Sequence, residues 1–159
     1  MNASDILKYG NGTLQRSISD LTEAQWTTNG ACGIWSPKDI MAHLASYEYV
    51  LVDVLGQFAG IQSKPHLDQY LAMGAAFNDE LVKQHSDLSP QSMVAYYNSA
   101  HEESMTLIKQ LTPELLRTPG TLPWYGAEYA LDDYIVYAFY GHKREHSAQI
   151  DAFKDRLKA

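Results

Sequence analysis

SPKDIMAHLASYEYVLVDVLGQF, residues 36–58, is the stretch on which the reading of this chain turns. Ser36 offers an N-cap hydroxyl, Pro37 suits the first helical position, and Asp39 places a carboxylate where the first turn leaves amide groups unpaired. These signals predict a helix from about 37 to 58. At about 100° per residue, with Ile40 as zero, Leu44, Tyr47, Leu51, Val54 and Phe58 fall within roughly 40° of one another's stripe. His43 lies roughly 60° away by the same geometry, in or beside the apolar face. Asp39 and Glu48 fall off that stripe.

Outward from this helix the same grammar repeats. Ser4 and Asp5 can start a first helix whose Leu7, Gly10, Leu14, Ile18 and Leu21 share one face, and Thr22 caps a short turn containing Trp26. Ser89-Pro90 opens another helix, with Met93, Tyr96, Tyr97, Ala100, Ser104, Leu107, Ile108 and Leu111 on one side. Thr112-Pro113 ends it. The segment to Ala130 reads as loop with one helical turn at 113–117, and the last helix runs from about Leu131 to Leu157. Between the second and third long helices, a shorter helix from Leu67 through Tyr70, Leu71 and Phe77 to Leu81 fits a crossover connection. No window alternates apolar and polar residues, so nothing builds a sheet. The expected class is all-α, a four-helix bundle in a single domain spanning 1–159.

The chain of 159 residues is 45% apolar and 19% charged, enough to bury a core and unlike a disordered sequence. Nineteen acidic against twelve basic residues give a net charge of −7, which argues against nucleic acid as a partner. Cys32 stands alone, so neither an internal disulfide nor a thiolate zinc site is available. The amino terminus lacks a secretory pattern, and the longest apolar runs, such as YIVYAF at 134–139, are far too short to span a bilayer. The expectation is a soluble cytoplasmic protein without a membrane partner.

Any metal site must therefore use His, Asp and Glu. On the last helix, with Ile135 as zero, Phe139, His142, His146, Gln149 and Phe153 occupy one arc of roughly 80°. Two histidines sit mid-stripe where a helical core wants leucine. Imidazoles at i and i+4 stack one turn apart, so one ion can take a nitrogen from each, and His43 is the obvious third donor. A lone histidine at a stripe edge is ordinarily a hydrogen-bonded core residue; three inward ones among six, with no cysteine pair, point to a ligand set. His66 and His85 read as solvated, His101 as marginal to its helix's apolar face. Glu102-Glu103 and Lys143-Arg144-Glu145 read as solvated faces, and Cys32 as an incidental thiol in an exposed loop.

Trp35-Ser36-Pro37-Lys38-Asp39-Ile40-Met41-Ala42-His43-Leu44 resembles the W-[ST]-x-x-[DE]-[IVL]-x-x-H-[LIM] signature of the DinB/YfiT-like superfamily. His142-Lys143-Arg144-Glu145-His146-Ser147-Ala148-Gln149-Ile150 resembles its H-x-x-x-H-x-x-Q-[IL] ending. With the helix plan, the likeness covers nearly the whole chain. It implies an up-down-down-up four-helix bundle with a long crossover between helices 2 and 3, and a divalent metal held by His43, His142 and His146. Phe77-Asn78-Asp79-Glu80-Leu81-Val82 and Pro123-Trp124-Tyr125 look more like the ClbS-like branch, whose chemistry need not use a metal.

Three neutral imidazoles leave an ion its full charge, which favours making a nucleophile from water or thiol. The resemblance implies thiol transfer, with bacillithiol, mycothiol or glutathione as the low-molecular-weight thiol; hydrolysis of a small electrophile or toxin suits the same ligands. Zinc, nickel and manganese are not separated by a His-only set. Tyr47 and Gln149 share the histidine-bearing faces and are candidates for substrate contact or for orienting a ligand ring, and Trp124 for a pocket lip. No proton-removing catalytic side chain is identifiable. The alternatives are a non-catalytic ligand- or metal-binding resistance protein and a metal-free ClbS-like hydrolase. The likeness, with apolar residues at the face margins such as Ile6, Ile18 and Val94, favours a homodimer.

Overall fold

The computed structural model describes residues 2–159, whose regular secondary structure is entirely helical; among them no strand forms, only an isolated bridge between Cys32 and Trp35. Helix α1 (Ala3–Ile18) starts one to two residues earlier than Ser4 and Asp5 suggested. Asn2 is its cap, and Asp5 is the reciprocal partner whose carboxylate returns to the Asn2 backbone amide. Leu21 lies beyond its end. Helix α2 (Glu23–Thr27) uses the Thr22 cap, with Gln25 completing the box. Helix α3 (Pro37–Phe58) keeps the predicted bounds: Ser36 Oγ accepts from the Asp39 amide and the Asp39 carboxylate accepts from the Ser36 amide.

The crossover holds two helices where one was expected. They are α4 (Pro65–Met73) and α5 (Phe77–Gln84), separated by a tight turn at Gly74–Ala76. Gly74 takes φ of 54°, a left-handed conformation that ends α4 at low cost only for glycine. Asp53 of α3 anchors this segment, accepting from the backbone amides of His66 and Leu67 at 2.6 and 2.9 Å. Helices α6 (Pro90–Ile108) and α7 (Pro113–Arg117) begin at the expected caps Ser89 and Thr112.

The last helix is not one uninterrupted α-helix. It comprises α8 (Leu131–Ile135), a π-helical turn over Val136–Gly141, and α9 (His142–Lys158). The wide turn lies against α1 at Gly10, where a Cβ would sit 3.5 Å from the Phe139 carbonyl oxygen.

Contacts define how the long segments lie. Lys38 Nζ donates to the Ser86 and Leu88 carbonyls ahead of α6, and further along Tyr49 meets Tyr96 with ring centres 4.4 Å apart. Asn11 and Gln15 of α1 meet Tyr97 and Asn98, while Ser17 reaches Asp151 of α9. The apolar core falls into two clusters. One is built around Leu7, Leu51, Leu55, Leu131, Ile135 and Phe139, the other around Leu14, Ile40, Leu44, Met93, Tyr97 and Ile150.

Several surface expectations change. Ile18 is buried, so it is no exposed margin, while Ile6 and Val94 are half-buried. Cys32 is half-buried. His66 and His85 are half-buried rather than solvated, tucked against Tyr49 and Tyr96 at 4.9 and 5.0 Å. No described helix is long and apolar enough to cross a membrane.

Candidate metal centre

His43 projects from the second turn of α3, and His142 and His146 from the first two turns of α9. The fold brings the three together. His43 Nε2 lies 2.8 Å from His142 Nε2, and His146 Nε2 lies 3.0 Å from the same atom. All three rings pack at centroid separations of 4.7–5.0 Å. Nitrogens bonded tetrahedrally to zinc at about 2.0–2.1 Å stand about 3.3 Å apart, close to this spacing. Converging lone pairs so near each other repel unless a cation or a shared proton lies between them. Among the described residues these three form the one group of ligand atoms disposed to hold a metal ion.

Each ring is held differently. His146 Nδ1 donates to Gln149 Oε1 at 2.8 Å, which directs its Nε2 lone pair at the cluster. The Ala138 carbonyl lies beside the His142 ring and by itself favours the protonated form. Ala138 lies within the π turn, whose widened hydrogen-bond ladder leaves carbonyls off the ordinary α-helical track. His43 has no polar partner at Nδ1, which is buried. Its ring is fixed by packing, with Trp35 at 4.9 Å on one side and Tyr47 at 5.0 Å on another.

Burial, followed by the charges of His142 and His146, pushes the His43 pKa down to about 3. Burial and then the His146 charge bring His142 down to about 4. His146 is also lowered, chiefly by burial, against the Gln149 bond and the Glu145 charge, which raise it. All three rings are therefore neutral at pH 7, the form that coordinates a metal.

Tyr47 sits beside the centre, its ring 5.1 Å from His142 as well as 5.0 Å from His43. Its hydroxyl donates to Asn78 Oδ1 at 2.9 Å. Burial, then the Tyr70 charge, raises its pKa to about 12, so it stays protonated. Beyond Tyr47 opens a cleft of about 380 Å³ that Trp124 also lines. Trp124 does not touch the imidazoles directly; it reaches the site through Tyr70, 6.1 Å away, which packs on Tyr47.

Sequence reasoning missed the interior charges. Glu48 and Lys143, read as off the stripe and solvated, form a buried ion pair linking α3 to α9. His101, assigned to a margin, is buried nearby with Ser104, both on α6. A charge one residue from a mid-stripe histidine carries no sequence signal that separates a buried pair from a solvated one. Arg144, Glu145, Glu102 and Glu103 are exposed as expected. Trp35, which the sequence marks only as the first residue of the signature, packs on His43. The Ala138 carbonyl gave no signal, because a π turn has none in composition.

No curated protein and no solved structure matches the chain. The family model of the DinB superfamily matches residues 8–150, a span that takes in both histidine-bearing helices, and the chain belongs to that superfamily.

Proposed function

We propose that the chain is a metal-dependent enzyme in which His43, His142 and His146 hold one divalent ion and act on a small electrophile, by thiol transfer or by hydrolysis. The observation that carries this reading is the convergence of three neutral imidazole nitrogens, His43 Nε2 and His146 Nε2 each within 3.0 Å of His142 Nε2, with His146 oriented from behind by Gln149 and none of the three paired with a carboxylate. Three protein ligands leave room in the coordination sphere, the arrangement of catalytic rather than structural sites. When bound, the ion supplies Lewis acidity and an electrophilic position for an oxygen or sulfur donor, undiminished by ligand charge.

The chain's own residues supply the rest. Gln149 holds His146 in orientation, and the Ala138 carbonyl lies beside the His142 ring. Tyr47, protonated and adjacent to two ligand rings, donates a hydrogen bond toward the cleft side, and Trp124 lines the same cleft. Trp35 shields the far face of His43 from water.

The architecture belongs to the same proposal: an up-down-down-up four-helix bundle with α3 and α6 as parallel neighbours joined by the crossover through α4 and α5. The pairing of Lys38 with the start of α6, and of Tyr49 with Tyr96, supports it. So does the match of Gly10 with Tyr140 and Ser17 with Asp151. A small molecule as substrate, a cytoplasmic location and association as a homodimer complete the reading.

Elemental analysis of the purified protein tests it. About one divalent ion per chain is expected, lost in His142→Ala and His146→Ala, with turnover then sought in a thiol-transfer and ester-hydrolysis screen. Metal-free protein that also refuses zinc, nickel and manganese at neutral pH overturns the proposal.

A further inference from the structure

The cleft beyond Tyr47 has a composition that selects its occupant. It is lined by Tyr47, Tyr70, Gly74, Asn78, Trp124 and Tyr125, together with two aliphatic residues of the crossover, and its volume of about 380 Å³ suits one small ring system with a substituent. Not one of the lining side chains is Asp, Glu, Lys, Arg or His. In a chain of net charge −7, an anion placed here would lose its water without gaining a counter-charge. Aromatic side chains make up four of the six named walls, and their rings offer faces and edges for stacking. Gly74 opens the space: its left-handed backbone excludes larger residues, and no atom lies within 4 Å of where a Cβ would be.

The single fixed polar feature is the Tyr47–Asn78 pair. Tyr47 donates to Asn78 Oδ1 at 2.9 Å, which commits the amide oxygen and leaves the Asn78 NH₂, which makes no hydrogen bond among the described residues, as a donor. A ligand that stacks between rings and presents one acceptor oxygen meets that donor.

We infer that the cleft binds an uncharged planar ring carrying a carbonyl-type acceptor, with the ring against Tyr70 and Trp124 and the acceptor on Asn78. This deepens the proposed function by naming the substrate class of that site, and Tyr47, in contact with both the cleft and the imidazoles, would place such a ring next to the metal centre. Seating of the ring needs the aromatic walls and Asn78 but no ion.

Benzamide, benzoate and benzamidinium share shape and differ in charge, so they test the inference directly. Binding is measured on the full chain, with and without added zinc, by tryptophan fluorescence and by the Asn78 side-chain amide resonance. Benzamide is expected to bind at least about tenfold tighter than either ion. It should perturb the Asn78 resonance and lose at least about tenfold in affinity in Asn78→Ala and in Trp124→Leu. The Trp124→Leu variant also keeps an apolar wall, so retention of a native melting transition separates lost binding from lost fold. Preference for benzamidinium would show an aromatic cation site, and preference for benzoate an undetected positive wall; either overturns the inference. So does failure of all three to bind up to millimolar concentration. Benzamide binding in protein that takes up no metal would sink the metal reading and leave this one standing, and the reverse result would do the opposite.

Discussion

Lys143 and Glu48 form an ion pair in the interior, with side-chain exposures of 2% and 0%. They lie next in sequence to His142 and Tyr47, so the pair joins α3 to α9 beside the residues that define the site. The Lys143 ammonium also lies over the Tyr97 ring at 5.6 Å and the Phe139 ring at 5.9 Å. Asn11 of α1, hydrogen-bonded to the Tyr97 hydroxyl, and His101 and Ser104 of α6 extend the polar layer across the protein.

Removing one member of that pair leaves its partner charged and buried. Glu48→Ala or Lys143→Ala should each cost about 3–5 kcal/mol, whereas Glu48→Leu combined with Lys143→Met should be neutral or stabilising by up to about 4 kcal/mol. Urea unfolding of the three variants checks this, and equal losses in the singles and the double would refute it.

Gln149 orients His146 without itself facing an ion. Gln149→Leu should lower metal affinity about 10–100-fold while leaving the melting temperature of the metal-free protein nearly unchanged. Competition titration against a chelator reads the affinity.

The pH dependence follows from the imidazoles. His43 and His142 are depressed in the folded state to about 3 and about 4 from 6.5. On acidification the unfolded chain takes up these protons first, so stability is fully present above pH 6.5 and is lost as pH falls toward those folded values. Metal-free protein should melt at markedly lower temperature at pH 5 than at pH 7.5. In His43→Leu the difference should shrink; an unchanged difference would assign the effect to other groups.

Where α1 meets the π turn, a methyl group at Gly10 would make ordinary contacts of 3.5 Å with the Phe139 carbonyl and Tyr140. Gly10→Ala should stabilise by up to about 1 kcal/mol through helix propensity, and Gly10→Leu should destabilise by about 1–3 kcal/mol through overpacking. Thermal melts decide between these signs and a uniform loss.

Sedimentation at micromolar concentration should return twice 17.9 kDa for the homodimer. With Ile18 buried, the exposed apolar side chains available to the contact include Ile34 and Tyr137, so Ile34→Lys or Tyr137→Lys should return a monomer. A concentration-independent monomeric mass for the unaltered chain excludes the dimer.

The elements legible in the sequence are those whose cause is local. Ser36, Thr22, Ser89 and Thr112 announce their helices because a cap acts within three residues of itself. The three imidazoles were legible because apolar periodicity fixes which way each helix face points, and a histidine in the stripe must follow it. The Asn2 cap was missed because Ser4 and Asp5 compete for the same pattern. The break at Gly74 was missed because the apolar residues on either side still keep helical spacing. Glu48 with Lys143 is a relation between helices some ninety residues apart, and nothing in either neighbourhood encodes the other. The same holds for the cleft, whose walls come from α3, the crossover and the loop before α8.

In a continuous α-helix each added or removed residue turns everything downstream by about 100°. The six residues Val136–Gly141 run at a wider pitch. A π turn is the way a helix takes up one extra residue, so deleting one of these six lets the ladder close as ordinary α-helix and leaves His142 and His146 on nearly the same face. A deletion within α8 or elsewhere in the α-helical run before His142 has no such reserve and turns both imidazoles away from His43 with every side chain of the site still present. In a comparison of relatives, a one-residue gap inside Val136–Gly141 is therefore compatible with the centre, whereas a gap on its amino-terminal side signals its loss.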